Sequence, residues 1–224
     1  MAFDTRQASR VRAAIVIVVL VAVAALAVAV VTGAFSSAPA SDGSDQEASS
    51  TSASGAQDGS AMDQIDAQYG TAAQSLLTQY DADPSNPSAL LNLANGYFDW
   101  GVAALNHAGG DADEAHAREL LSDAIGYYDT YLDENPGAKS ATVDRAICLF
   151  YTGDADRAVA ELQDLVSEDP TFAPAWANLG MFYESQGSTE KAADAYQKAI
   201  DATADEDPYG VRSYAEERLS AIGG

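Results

Sequence analysis

The chain is short of cysteine, of bases and of histidine, and each shortage removes a class of function. Cys148 is the single cysteine in 224 residues. No internal disulfide, cysteine-based zinc cluster or haem-attachment motif is therefore open to it, and no cysteine stands just after the N-terminal apolar run to accept a lipid. Cys148 stands among Ile147, Leu149 and Phe150, the setting of a buried structural thiol rather than a nucleophile. Lysine and arginine total 11 against 34 acids, and none occurs between Arg12 and Arg118. Beyond residue 35 the chain carries 33 acids and 8 bases, a net charge of −25. Such a surface repels nucleic acid and anionic lipid head groups and attracts basic partners.

The two histidines, His107 and His116, stand near Asp111, Asp113 and Glu114. No spacing of a known metal site is present there, and Asp111 or Asp113 serves more simply as a helix N-cap. Asp81-Ala82-Asp83 begins like a calcium loop, but Pro84 follows and the sharp-turn glycine is missing. Phosphate loops, nucleophile elbows and dinucleotide fingerprints are absent as well. The sequence thus points away from an enzyme and asks for no cofactor. A metal-dependent enzyme at the His107–His116 cluster stays only as an alternative.

What is present begins with Ala13 to Val31, 19 consecutive apolar residues. As a helix this run would span about 28 Å, close to the hydrocarbon thickness of a bilayer. Arg6, Arg10 and Arg12 precede it and no base follows until Arg118. The positive-inside rule then places residues 1–12 in the cytoplasm, a transmembrane helix at 13–35 and the rest outside. Cleavage as a signal peptide is the competing reading, since Ala38-Pro39-Ala40 has the small-x-small form. Residues 36–61 are dominated by Ser, Ala, Gly and Asp, the composition of a disordered linker.

The remainder, 62–224, reads as helix throughout. Ile65, Tyr69, Ala72, Ala73, Leu76 and Tyr80 form one apolar stripe over 62–80. Asp83-Pro84, Asn135-Pro136, Asp169-Pro170 and Asp207-Pro208 each close a helical stretch, because proline cannot continue one. The second and third of these prolines are 34 residues apart, the third and fourth 38, and the first and second 52.

The stretch from Ala173 to Ala204 explains the period. Trp176, Leu179, Gly180 and Tyr183 share one helix face, and Ala192, Tyr196 and Ala199 share a face of the next. Gly180 and Ala192 lack bulk where two antiparallel helices approach, and Trp176 and Tyr196 fill the space beside them. This pattern resembles the tetratricopeptide repeat (TPR). The resemblance implies an all-α solenoid of helical hairpins wound as a right-handed superhelix. Its parts would be an elongated repeat at 87–136, repeats at 139–172 and 173–206, and a capping helix at 209–222. The 18 surplus residues of the first repeat predict two lengthened helices, at 87–107 and 112–134, projecting beyond the stack. Arg145 is the misfit, a cation on an expected packing face.

In stacked repeats of this family the first helix of each pair lines a concave groove. One step round from the packing face stand Leu91, Asn95 and Phe98, then Val143, Ile147, Phe150 and Tyr151, then Ala177, Met181 and Glu184. TPRs that clamp a C-terminal carboxylate place Lys, Arg and Asn there, and no Lys or Arg occurs at these positions. The strip suits a protein or peptide with apolar and basic residues. It is equally open to being filled by the helix at 62–80 or by the hairpin. The resemblance implies a membrane-anchored scaffold, assembly factor or chaperone in a bacterial cell envelope, similar in architecture to bacterial envelope proteins that join one N-terminal span to TPRs. Self-association through the hairpin is the alternative.

Overall fold

The protein is described here by a computed structural model covering residues 61–203 and 207–223. The expected anchor and linker lie outside the described residues. Among the described residues no helix is long and apolar enough to cross a membrane. The elements in order are α1 (Ala61–Ile65), a π-turn (Asp66–Gly70), α2 (Thr71–Ala82), α3 (Pro87–His107), α4 (Asp111–Glu134) and α5 (Lys139–Thr152). Then come α6 (Ala155–Glu168), α7 (Ala173–Ser185), α8 (Thr189–Ala202) and α9 (Val211–Ile222).

Local signals set the boundaries. The Asn86 side chain accepts from the backbone N–H groups of Ser88 and Ala89, and Pro87 follows as the first residue of α3. Gly153, at φ 106°, ends α5 in the left-handed region that glycine enters without cost from a Cβ. The break at Gly109-Gly110 separates α3 from α4, and the Asp113 carboxylate accepts from the Gly109 N–H at 2.8 Å.

Helices pair as α3/α4, α5/α6 and α7/α8, and α9 packs on α8. The first helices α3, α5, α7 and α9 also touch in succession, whereas α4, α6 and α8 make no comparable contact with one another. The first helices thus form a closed inner layer, and the second helices are splayed outside it. Small residues set the close approaches. A Cβ on Gly101 would stand 2.7 Å from Leu121 Cγ, and one on Gly180 would stand 2.5 Å from Tyr196 Cε1. The largest sealed side chains are Tyr128, Tyr196, Tyr214 and Phe182, with Leu93, Leu121, Leu162 and Leu179. Each contributes roughly 1.5–3 kcal/mol relative to exposure.

The segment before α3 packs against it. Met62 is buried with Ala104, Ala117 and Leu120 at the far end of the long hairpin. Leu76 comes so near Gly96 that a Cβ there would be 2.5 Å away. Trp100 Nε1 donates to Asp66 at 2.8 Å, and Tyr80 meets the Tyr127 ring edge-on at 6.4 Å. Residues 61–82 therefore cover the outer flank of α3 and α4 and make no comparable contact with α5 or α7. The hairpin's apolar end is covered rather than bare.

Arg145 has a local explanation. Its Nε and Nη2 donate to Glu161 at 3.0 and 2.7 Å, and its Nη1 donates to Asp129 at 2.7 Å. The cation lies at the junction of α4, α5 and α6 with a carboxylate from each neighbour. Its methylenes pack while its charge is matched.

Candidate functional site

The inner layer carries the residues singled out from the sequence, and the packing of one first helix on the next divides them into two groups. Phe98, Val143, Ile147 and Met181 are between 3% and 7% exposed, and Ala177 is sealed. Leu91, Asn95, Phe150, Tyr151 and Glu184 are half-buried. The centre of the expected strip is thus the seam between first helices, and its accessible part is a set of separate side chains.

Those side chains are held firmly. Phe150 stacks on Phe182 with centroids 4.3 Å apart and planes 6° from parallel, and Tyr151 meets Phe150 edge-on at 5.4 Å. The Tyr151 hydroxyl donates to Met181 Sδ at 3.8 Å, and burial pushes its pKa up. Glu184 is not a bare rim acid. It accepts from the Tyr196 hydroxyl at 2.9 Å and from Arg218 Nε at 3.1 Å, with Arg218 Nη2 as a further donor. Its charge is matched by the capping helix.

Two acids that the sequence reading passed over sit at the α3–α5 contact. Burial lifts the Asp99 carboxyl to about 6. Burial, and then the charge of Asp99, lift Asp144 to about 7. Among the described residues no cation stands among the groups acting on either. Beside them the Tyr128 hydroxyl donates to Asn95 Oδ1 at 2.8 Å. Burial, with Asp144 nearby, also pushes the Cys148 thiol well up, so it stays protonated and unreactive. The sequence signal for the pair is faint. It amounts to acids within the apolar helices α3 and α5, 45 residues apart.

The histidines are engaged separately. His107 Nδ1 lies 2.9 Å from the Ala103 carbonyl, and His116 Nε2 lies 3.0 Å from Asp66 Oδ1. Among the described residues no group of three or more His, Cys, Asp or Glu is placed to hold a metal ion.

Comparison with known proteins gives the following. Residues 110–171 and 143–208 match the tetratricopeptide repeat family. The probable UDP-N-acetylglucosamine–peptide N-acetylglucosaminyltransferase SPINDLY of Hordeum vulgare is 33% identical over 91 residues, 41% of this chain and 10% of that protein. The TPR repeat-containing protein MJ0940 of Methanocaldococcus jannaschii is 34% identical over 89 residues, 39% of this chain and 27% of that one. The chain thus spans about a tenth to a quarter of the length of these curated relatives. Among solved structures, that of MamA is 22% identical, covers 72% of this chain and 91% of its own, and superposes with a TM-score of 0.47. The described chain is an all-helical TPR-like solenoid, and the repeat signature itself runs through residues 110–208.

Proposed function

We propose that this protein is a scaffold or assembly factor, held to a membrane by residues 13–35, that binds a protein segment bearing basic and apolar residues on its inner face outside the cytoplasm. The observation that carries the binding reading is the Asp99–Asp144 pair. Two carboxyls without a cationic partner among the described residues, both raised by burial and Asp144 further by the charge of Asp99, form a receptor for an ammonium or guanidinium group. Half-buried Leu91, Phe150 and Tyr151 supply apolar contact on the same layer. The net charge of −25 beyond residue 35 draws a basic segment in.

The test is titration of the full chain with a labelled peptide of alternating Lys and Leu. Binding should weaken with salt and strengthen from about pH 5 to about pH 8 as the acids ionise for the incoming cation. Asp99→Asn with Asp144→Asn should remove the pH dependence, and Phe150→Asp should abolish binding. Ile147 is no place for such a charge, because it lies in the core at 4% exposure. Affinity untouched by both changes would sink the reading. Topology is tested separately by a reporter fused after Gly224, which should be active only outside the cytoplasm.

A further inference from the structure

The splay of the second helices opens a cleft of about 490 Å³ between α6 and α8, with α7 as its floor. It faces away from the inner layer, and its chemistry differs. Leu179 and Val166 give it an apolar base, and Trp176 and Tyr183 wall it. The chain has three lysines in all, and two of them, Lys191 and Lys198, line this cleft. They stand seven residues apart on α8 and so share one helix face. Lys198 Nζ lies 4.6 Å from the Trp176 ring centroid, and Lys191 Nζ lies 5.4 Å from that of Tyr183. The Tyr183 hydroxyl, in turn, accepts from Gln163 Nε2 at 2.6 Å and is fixed in place.

The ion pairs show why this spot is unlike the rest of the surface. Arg118, Lys139, Arg145, Arg157, Arg212 and Arg218 each face a carboxylate within 4 Å. Lys198 pairs with Asp194 at 2.8 Å, but both are well exposed, so the bond is weak and readily exchanged. Lys191 makes no ion pair among the described residues; its neighbour in the cleft is the Tyr183 ring. Glu190 and Asp194 also line it, so the cleft as a whole is close to neutral in an acidic domain.

We propose that this outer cleft is a second docking site, for a partner segment that carries an apolar side chain flanked by carboxylates. The apolar side chain enters between Trp176 and Tyr183 over Leu179 and Val166. The carboxylates meet Lys191 and Lys198, whose ammonium groups the rings already hold in position. The two faces thus sort partners by charge, basic segments inside and acidic segments outside. Long-range repulsion from the acidic domain opposes the outer ligand. Added salt screens that repulsion along with the local attraction, so its affinity should change little with salt, unlike that of a basic ligand.

The experiment uses the full chain and a labelled twelve-residue peptide of Asp, Glu, Leu and Phe, with a control peptide in which Asn and Gln replace the acids. Binding is followed by peptide anisotropy and by the emission of Trp176 in a Trp100→Phe background. The acidic peptide should bind and shift Trp176 emission, and the amide peptide should bind at least tenfold more weakly. Lys191→Gln should weaken the acidic peptide about tenfold, and Lys191→Gln with Lys198→Gln should abolish it. Both leave the folded helices intact because the side chains are exposed. Asp99→Asn with Asp144→Asn should leave this binding unchanged. Equal affinity for both peptides, indifference to the lysine changes, or loss on the paired Asp→Asn changes would each overturn the proposal. The basic-peptide titration on the inner face is independent, so either site can fail without the other.

Discussion

Gly180→Ala adds one methyl group, and its effect can be worked from the atoms it meets. The new Cβ would lie 2.5, 2.6 and 2.9 Å from Cε1, Cδ1 and Cζ of Tyr196. The ring has no room to retreat. Tyr196 is sealed, its hydroxyl is held by Glu184 at 2.9 Å, and Tyr214 stands edge-on to it at 6.0 Å. Relief must come from a shift of α7 against α8, and overpacking of this kind costs roughly 1–3 kcal/mol. Alanine is the better helix former by about 1 kcal/mol, which offsets part of the loss. The net expectation is a destabilisation of about 0–2 kcal/mol. Gly126→Ala is the matched control. It also lies within a helix, but an added Cβ there meets nothing within 4 Å. It should gain about 0.5–1 kcal/mol. Urea unfolding followed by far-UV circular dichroism reads both, with the slope on denaturant checked for constancy. Because a solenoid can lose one end first, Trp176 emission in a Trp100→Phe background reads whether the loss is confined to α7–α9. If Gly180→Ala matched Gly126→Ala in stability, the close approach of α7 and α8 would not be tight and the reasoning would fail.

Three further expectations follow from the polar contacts. Arg145→Ala should cost about 2–3 kcal/mol, because Glu161, already pushed up by burial and drawn back by Arg145, loses its hydrogen-bonded partner while Asp129 keeps only Arg157 at 3.8 Å; thermal unfolding measures it, and an unchanged midpoint would show that the ion group is decorative. Asp99 and Asp144 have folded-state values of about 6 and about 7, above the ordinary 3.8, so the folded protein holds their protons more tightly than the unfolded one. Stability should therefore rise as pH falls through about 7 and about 6 toward about 4, and be lowest above about 7. Urea midpoints of the Asp99→Asn, Asp144→Asn double variant should lose that rise, and a slope identical to wild type would refute the assignment. Asp66→Ala removes the acceptor of Trp100 and the partner of His116; hydrogen exchange over residues 61–82 should speed several-fold while α5–α9 stay protected, and uniform protection would refute the docking role.

The repeat was legible because its signal is local. Trp176, Leu179, Gly180 and Tyr183 lie within eight residues, and the demand that small residues oppose large ones is met inside one hairpin. Trp176 itself was read as a filler of the core, yet it is only partly buried. Its Nε1 donates to the Pro170 carbonyl at 2.9 Å and Lys198 covers its ring. The helix pattern fixed the side on which Trp176 lies, while the splay of α6 from α8 decided how much of it is sealed. Arg145 looked like a misfit because its partners, Asp129 and Glu161, lie 16 residues to either side on other helices. The same limit hid the Asp99–Asp144 pair, since the desolvation that defines it arises only when α3 and α5 meet. Val143 and Ile147 were placed on the correct helix, but how closely neighbouring first helices touch decides whether such residues line a groove or a seam. The π-turn at Asp66–Gly70 has no sequence mark beyond Gly70, where an added Cβ would stand 3.0 Å from the Trp100 ring.

The unequal first hairpin bears on how the array is counted. Equal modules stacked in a row can mispair by whole steps, each seated one place too far along, and two chains can trade modules for the same reason. Here α3 and α4 run 21 and 24 residues, against 13 and 14 for α7 and α8. No later pair can occupy that berth without leaving the flank of α1 and Met62 unfilled, and the long pair cannot sit further along without overhanging a neighbour. The hairpin thus gives the stack a fixed origin, so that during folding every later module finds its address by distance from one end.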